Sequence, residues 1–404
     1  MTNQKSIPLG SFPDGLETPQ AQLEPFEWYQ TQRANGGVRR DEPRRCYDVF
    51  DYETVKNVLA DHETFSSDPL THPENTPENT SSIVNSMLYQ DPPRHTDLRS
   101  TVEDFFTPGT VAELAPDVEQ MATGFIDKAI DGSEGQFDLV KSFSYPLPVT
   151  VIAGLLGVPK KDHAQFREWS MSLVAASASS SDDGADRGEQ KLAVFAELGE
   201  YFQELLAIRQ DTPRDDLLSR IAGTGELTTR EMLGFCYLLL IAGNVTTTNL
   251  ITNAVWTLGE QDLFDDLRDD PDAIEYAVEE VLRYRSPVQA MQRWTTEDVT
   301  IGDYEVPKHT SVVAWIGSAN RDPAAFDDPE TFIPDRHPNR HVAFGHGIHN
   351  CLGSSLARLE TRAAIRALLD RFETLDPVLE DIPPSGSMMV YGPRSLPVRY
   401  VVDE

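Results

Sequence analysis

The chain has 404 residues, and its 66 acidic against 34 basic residues give a formal net charge of −32 at pH 7. A surface this acidic repels the phosphates of nucleic acids and of anionic lipids, so neither is expected as a partner. The length is sufficient to enclose a cofactor. No linker or internal repeat divides the sequence, so we predict a single domain over residues 1–404, and a monomer.

The acidic residues are spread along the whole chain, and most of the basic residues are arginine rather than lysine. This composition is typical of a halophilic protein kept soluble in a very salty cytoplasm, where salt screens the repulsion among its charges. An ordinary acidic cytosolic protein is the alternative. The cysteines are only Cys46, Cys236 and Cys351, which argues against a disulfide framework and for a reducing compartment. The first residues lack the apolar core of a signal peptide, so a cytoplasmic location is expected.

In chain order, residues 1–25 are rich in proline and polar residues and predict an irregular lead-in. Alternation over 46–50 predicts a strand, a helix follows over 52–62, and residues 63–93 predict a long ordered loop. Helical patterns dominate from 95 to 285, with one polar loop at 177–188. Short strands are predicted between 293 and 316, and a last helix over 354–372. The fold class is therefore mainly α with small β-sheets.

The segment from Met232 to Gly259 carries no charge, so a membrane span has to be considered. Its second half contains several Asn and Thr residues, whereas a bilayer span needs roughly 20 mainly apolar residues. A helix through the centre of the protein is the better interpretation, and no membrane association is expected. The AGNVTTT stretch in its middle places a glycine and hydroxyls where a core helix normally has leucines, which indicates that the helix passes something other than side chains.

Residues 344–353, FGHGIHNCLG, combine glycines, two histidines and Cys351 just before a helical pattern. A zinc site would use His341, His346, His349 and Cys351, but structural zinc sites usually have two further ligands at a distance, which this cluster lacks. Glycines let backbone N–H groups turn toward one sulfur, and the helix that starts near Leu352 directs its positive end at it. Both effects favour a thiolate, and a single thiolate is how haem iron is held when O–O cleavage is the goal.

At these residues the sequence resembles the cytochromes P-450, the haem-thiolate monooxygenases. The family signature Phe-x-x-Gly-x-His/Arg-x-Cys-x-Gly is complete as Phe344, Gly347, His349, Cys351 and Gly353. Further resemblance lies in the VEEVLRYRSPV, ANRDPAAFDDPETFIPDR, DPPRHTDLR and AGNVTT segments, and it covers roughly residues 20 to 402. The resemblance implies the family fold, with haem between the long central helix and the cysteine-loop helix.

The resemblance also implies haem b, iron protoporphyrin IX, with Cys351 as the iron ligand. Two cations on one helix face, His95 and Arg99, would bind the haem propionates, although they could simply be solvated. The other residues expected to contact the cofactor are Ala242, Arg293, Phe344, Gly345, His349 and Gly353. Glu280 and Arg283 would form a buried structural cluster with Arg336; on their own, Glu280 and Arg283 could be a surface salt bridge.

The family reaction inserts one oxygen atom from O₂ into a C–H bond, using two electrons and two protons. The family delivers protons through an acid followed by a threonine in the central helix. Here Thr246 is the threonine, but Val245 takes the acid position and cannot relay a proton. Asn244, Thr247 or ordered water could substitute, so all three residues of the set Asn244, Thr246 and Thr247 are candidate catalytic residues. A peroxide-driven enzyme, an isomerase and a haem protein that binds a ligand without turnover are the alternatives.

By family position, the substrate pocket would be lined mainly by apolar side chains, which predicts a hydrophobic small molecule. The expected residues are Ile83, Val84, Met87, Leu239, Ala242, Val245, Val288, Gln289, Ala290, Met389 and Val390. The electron donors expected from the resemblance are a ferredoxin and its reductase. Arg358, Arg362 and Arg366 recur every four residues and could form a local positive docking face, or a solvated face with pairs to Glu360 and Asp370.

Overall fold

The computed structural model describes residues 9–75, 85–177 and 184–403, without the side chains of 174–177 and 184–192. The helices are α1 (Pro19–Leu23), α2 (Phe26–Ala34), α3 (Tyr52–Ala60), α4 (Arg94–Ser100), α5 (Pro108–Ala112), α6 (Ala115–Ala129), α7 (Pro146–Leu156), α8 (His163–Ser177), α9 (Gly184–Asp211), α10 (Leu217–Gly223), α11 (Thr229–Glu260), α12 (Phe264–Asp269), α13 (Ala273–Tyr284), α14 (Ile316–Ala319) and α15 (Ser354–Arg371). The strands are β1 (Val38–Asp41), β2 (Cys46–Val49), β3 (Phe65–Ser66), β4 (Glu134–Asp138), β5 (Met291–Thr295), β6 (Val299–Ile301), β7 (Tyr304–Val306), β8 (Ser311–Ala314), β9 (Phe372–Pro377) and β10 (Pro397–Val402). The mainly helical fold class with small sheets is confirmed.

The chain forms two compact units, each assembled from three separate segments. The first unit contains residues 1–80, 252–351 and 377–396, and the second contains 81–251, 352–376 and 397–404. Each unit is compact by itself. The single domain over residues 1–404 stays a prediction.

The first unit is built on a five-stranded sheet in the order β1-β2-β8-β5-β3. β2 and β8 are parallel, with Cys46 opposite Ser311, and the other neighbouring strands are antiparallel. Helix α3 packs on this sheet because its apolar residues recur at helical spacing, and Val55 and Leu59 are buried beside Val49 and Val312. This core supports the loop that carries Cys351.

The second unit is mainly helical and contains a three-stranded sheet in the order β4-β10-β9. β4 and β10 are antiparallel, with Pro397 opposite Asp138. Helix α15 packs against α6 and α5, and α8 packs against α7 and α9. Most of the central helix α11, up to Ile251, belongs to this unit.

Helix α11 is long and apolar enough to cross a membrane by length and composition, with a mean hydropathy of 1.4 in its most apolar window. That window is 72% buried inside the protein, which is the environment of an interior helix. The predicted central helix is therefore present, from Thr229 to Glu260.

Two local predictions were wrong. Helix α9 already begins at Gly184, inside the loop predicted at 177–188, because the Ala, Glu, Gln and Lys residues that follow are good helix formers. Residues 178–183 of that loop lie outside the described residues. Strand β4 interrupts the region predicted as helical, and it gave no alternating signal because its first three residues are all exposed.

Candidate active site

The loop before α15 is organised around Cys351 in the first unit. The Cys351 amide donates to the Phe344 carbonyl at 2.8 Å, which closes the loop on itself. Gly345 and Gly347 have φ angles of +75° and +74°, a region that favours glycine. A Cβ on Gly347 would lie 2.7 Å from Cα of Ala60, so this position also has no room for a side chain.

Cys351 is the exposed cysteine of the three, whereas Cys46 and Cys236 are buried. Burial raises the pKa of both buried thiols well above the usual range, so they remain protonated and unsuited to binding a metal. Helix α15 begins at Ser354, three residues after Cys351. The exposed sulfur, the tight glycine turns and the following helix fit a haem-thiolate loop.

The histidines of the alternative zinc site have other environments. Nε2 of His341 lies 3.1 Å from the Glu279 carboxylate, and its ring lies 6.1 Å from that of Phe344. Burial, together with the nearby Lys56, lowers the pKa of His346. Among the described residues no group of three or more His, Cys, Asp or Glu side chains is arranged to hold a metal ion.

Each residue expected to bind a haem propionate has its own surroundings within the unit to which it belongs. Arg293 lies on β5 in the first unit, is 4% exposed, and donates to the Gln292 carbonyl at 2.9 Å. His349 lies in the short turn before Cys351. In the second unit, His95 is 3% exposed on α4, and Arg99 is half-buried one turn later. A fully solvated His95 is therefore excluded, and these side chains carry the N–H donors that haem carboxylates require.

Glu280 is the centre of a buried ionic cluster in the first unit. Arg283 donates two hydrogen bonds to its carboxylate, at 2.7 and 2.8 Å, and Nε of Arg336 lies 3.0 Å from the same group. Glu280 and Arg283 have no exposed surface, so the surface salt-bridge interpretation is excluded. Asn339 adds a further hydrogen bond to Glu280 at 3.1 Å, a partner that sequence analysis missed.

The residues around Thr246 point to different sides of α11. Ala242 is exposed, and Val245 and Thr246 are half-buried. The Thr246 hydroxyl donates to the Ala242 carbonyl at 2.6 Å. Asn244 and Thr247 are buried, at 0% and 4% exposure, so neither shares the environment of Thr246. Their assignment as catalytic residues stays a prediction.

The predicted pocket residues are only partly accessible. Leu239 and Met87 are buried in the second unit, and Val288 forms an isolated bridge with Val390 in the first, next to Met389. Two of the expected pocket residues have buried surroundings. Gln289 is 4% exposed because its amide accepts a hydrogen bond from the Tyr29 hydroxyl at 2.6 Å, and Ala290 is fully buried in the core around Trp315. Ile83 and Val84 lie outside the described residues.

The polar partners of Asn244 were also missed by sequence analysis. Its amide contacts Ser170 on α8, next to Tyr145 at the start of α7. The available signal was the presence of an amide in a long uncharged helix, since such a group needs a buried partner. The sequence could not show which helix supplies that partner.

Comparison with known proteins was made through families, sequences and solved structures. Residues 266–398 match the model of the family described as cytochrome P-450. The putative cytochrome P-450 YjiB of Bacillus subtilis is 40% identical over 382 residues, which is 93% of each chain. Erythromycin C-12 hydroxylase of Saccharopolyspora erythraea is 38% identical, over 92% of this chain and 94% of that protein.

Among solved structures, CYP109E1 of Bacillus megaterium in complex with testosterone superimposes with a TM-score of 0.86 at 38% identity. The match covers 95% of this chain and 99% of that one. Sequence and structure relationships extend over nearly the whole chain, and the cysteine loop, the buried Glu280 cluster and the central helix lie within them. The chain belongs to the cytochrome P-450 family of monooxygenases.

Proposed function

We propose that this enzyme inserts one oxygen atom from O₂ into a hydrophobic small molecule, using electrons from a ferredoxin. The observation that carries the proposal is the loop that presents Cys351 as an exposed sulfur while the other two cysteines are buried and protonated. Relatives at about 40% identity over most of the chain support the reaction class.

The cofactor proposed for this site is haem b. Cys351 would hold its iron, and the cations Arg293, His349, His95 and Arg99 would bind its propionates. When bound, the haem would supply O₂ activation, which the Cys351 thiolate would assist by donating electron density. Phe344 is half-buried beside the sulfur-bearing loop, where an apolar ring limits the access of water.

Among the residues of the central helix, we propose Thr246 as the one that holds a proton near the reaction. Its hydroxyl is fixed by the hydrogen bond to the Ala242 carbonyl, so its oxygen has a defined position from which to accept or pass on a hydrogen bond. Val245 beside it has no titratable group. We therefore propose that water delivers protons to Thr246 without a carboxylate at the preceding position.

The substrate class follows from the relatives only as a proposal. One relative is named as an erythromycin hydroxylase, and one neighbour was solved with testosterone. Erythromycin is a polyketide and testosterone is a steroid. We expect a steroid or polyketide of this kind, with terpenoids and fatty acids as further candidates. A shift of the Soret band on titration with such compounds is the screen that identifies binders.

The proposed electron donor is an acidic ferredoxin that docks on a local positive face formed by Arg358, Arg362 and Arg366 of α15. Arg366 is exposed and pairs with Asp370 at 3.1 Å. Glu360, the other partner expected for a solvated face, is instead buried at 1% exposure. The Arg366–Asp370 pair agrees with a solvated face, whereas the burial of Glu360 does not. A monomer in a salt-rich cytoplasm is the proposed state.

The experiment that tests this function begins with the reduced protein under CO. A thiolate-ligated haem gives a red-shifted Soret band, which Cys351→Ala should abolish and Cys46→Ala and Cys236→Ala should retain. NAD(P)H-driven product formation with a ferredoxin and its reductase then tests the monooxygenase. Purified protein with zinc and no haem would contradict the assignment, and haem protein that binds ligands without turnover would support a sensor instead.

A peroxide-driven enzyme is the second candidate, and the observation that favours it is Val245 before Thr246. Peroxide brings both oxygen and protons, so that substrate and H₂O₂ give hydroxylated product and water without a proton relay. Turnover with peroxide that exceeds turnover with O₂ and ferredoxin would favour this candidate. A rearranged product that contains no added oxygen would indicate an isomerase.

A further inference from the structure

The central helix has two chemically different faces at the level of Thr246. An α-helix advances about 100° per residue, so Ala242 and Thr246 lie on one face, and Asn244 lies roughly 200° from Ala242. The exposed fractions agree with this geometry, since Ala242 is exposed and Asn244 has no exposed surface. Asn244 therefore points away from the reaction face and cannot hand a proton across it.

Asn244 is the junction of a buried polar cluster in the second unit. Its Nδ2 donates to Oγ of Ser170 at 2.6 Å, and its Oδ1 accepts from the Thr248 hydroxyl at 3.2 Å. The Tyr145 hydroxyl lies next to Ser170 and Asn244 and donates to the Arg167 carbonyl at 3.0 Å. Burial raises the pKa of Tyr145, so this hydroxyl keeps its proton at neutral pH.

This cluster fixes the rotation of α11 about its own axis. Ser170 and Asn244 are 2% and 0% exposed, so water cannot replace their hydrogen bond if the helix turns. An apolar side chain at position 244 would pack almost equally well over a range of rotations, because apolar contacts have no direction. A buried amide loses a hydrogen bond as soon as the rotation changes, which is costly. The amide therefore selects one rotation of the helix.

We propose that Asn244 is a positioning residue that, through its hydrogen bond to Ser170, orients the Thr246 hydroxyl. The proposal rests on the proposed function in one respect, namely that Thr246 faces the ligand bound to the haem. A direct relay role for Asn244 is excluded by its position on the opposite face, and a purely structural role would affect stability without acting through Thr246.

The test uses cyanide binding to the ferric haem protein, which needs no electron donor, substrate or turnover. Asn244→Leu and Ser170→Ala are each combined with Thr246→Ala in a double-mutant cycle. With Thr246 present, each substitution should change the cyanide Kd by about fivefold, the effect of about one hydrogen bond. In the Thr246→Ala background the same substitutions should have almost no effect, because the group that they orient is absent.

Tyr237→Phe is the matched control. The Tyr237 hydroxyl also joins α11 to a neighbouring helix, by donating to the Phe195 carbonyl of α9 at 3.0 Å, but it lies seven residues before Asn244. Its removal should lower stability without changing the cyanide Kd. The proposal is overturned if Asn244→Leu and Ser170→Ala change the Kd equally in both backgrounds, if neither changes it, or if Tyr237→Phe changes it as much.

Ser170→Ala alone decides the cycle if Asn244→Leu yields no folded haem protein, because it removes the same hydrogen bond with a smaller change. The result is also separate from that of the proposed function. Cyanide Kd values can be measured even if the protein hydroxylates no substrate that is tried. Conversely, if the double-mutant cycle shows no coupling to Thr246, NAD(P)H-driven turnover still stands as evidence for the monooxygenase.

Discussion

Glu360→Gln should make the enzyme less sensitive to alkaline pH. Glu360 lies on the buried face of α15 with Leu356 and Ala364, is 1% exposed, and has one carboxylate oxygen without a hydrogen-bond partner. The charged residues of the facing helix α6, which are Asp117, Glu119, Asp127 and Lys128, are all exposed. Burial without a compensating charge raises the pKa of Glu360 from 4.5 to about 8.

The direction in which stability changes with pH follows from proton binding by Glu360. The folded protein keeps the Glu360 proton up to about pH 8, whereas the unfolded chain releases it near pH 4.5. Stability should therefore fall as the pH rises between these values and level off above them. One pKa unit corresponds to about 1.4 kcal/mol, so the shift could change the free energy of unfolding by at most about 5 kcal/mol. Water penetration lowers this limit, and we expect a change of about 2–5 kcal/mol.

The measurement is the free energy of unfolding in urea, followed by far-UV circular dichroism, at intervals from pH 5 to pH 9. Glutamine does not titrate, so the stability of Glu360→Gln relative to wild type should rise across this range. Asp370→Asn is the control, since this carboxylate is exposed on the same helix and pairs with Arg366. Parallel pH profiles for wild type and Glu360→Gln would refute the reasoning that Glu360 is buried and neutral.

Three further predictions concern turnover, electron transfer and salt. Val245→Asp should raise the amount of product formed per NAD(P)H consumed, provided the new carboxylate reaches water, and Thr246→Ala should lower this amount. If wild type is tightly coupled and Thr246→Ala loses no coupling, protons travel by a different route. Replacing Arg362 and Arg366 with Glu should slow reduction by ferredoxin about tenfold at low salt while substrate-induced spectra stay the same, and unchanged reduction kinetics would remove the proposed docking face. Because the net charge is −32, the melting temperature should rise by several degrees between about 0.1 and 2 M KCl, and a flat response would favour the ordinary acidic protein.

The cysteine loop could be predicted from sequence because its chemistry is local. Three glycines and a cysteine lie within ten residues just before a helix, and the structure gives Gly345 and Gly347 positive φ angles. The sequence could not show which residues pack against that loop. Gly347 has no room for a side chain because of Ala60, nearly 300 residues earlier in the chain, and no local pattern connects the two.

The residues whose surroundings differ from what the sequence indicates share a different cause. Asn244 was considered as a proton relay because it is close to Thr246 in sequence, but helix geometry places it on the opposite face. Glu360 was considered as a surface partner because arginines surround it in sequence, yet it faces the interior. Gln289 was expected in a pocket, and the hydroxyl that binds it comes from Tyr29, far away in the chain. The sequence shows which polar residues would need a hydrogen-bond partner if they are buried, but the tertiary fold determines which residue that partner is.

The division of the chain into interleaved segments has a consequence for biosynthesis. The first unit needs residues up to 396, and the second needs the final segment 397–404. That final segment supplies all of β10, the middle strand between β4 and β9. Neither unit can therefore be completed while the C-terminal residues are still inside the ribosome. Removal of residues 397–404 should therefore separate β4 from β9 rather than merely shorten the chain.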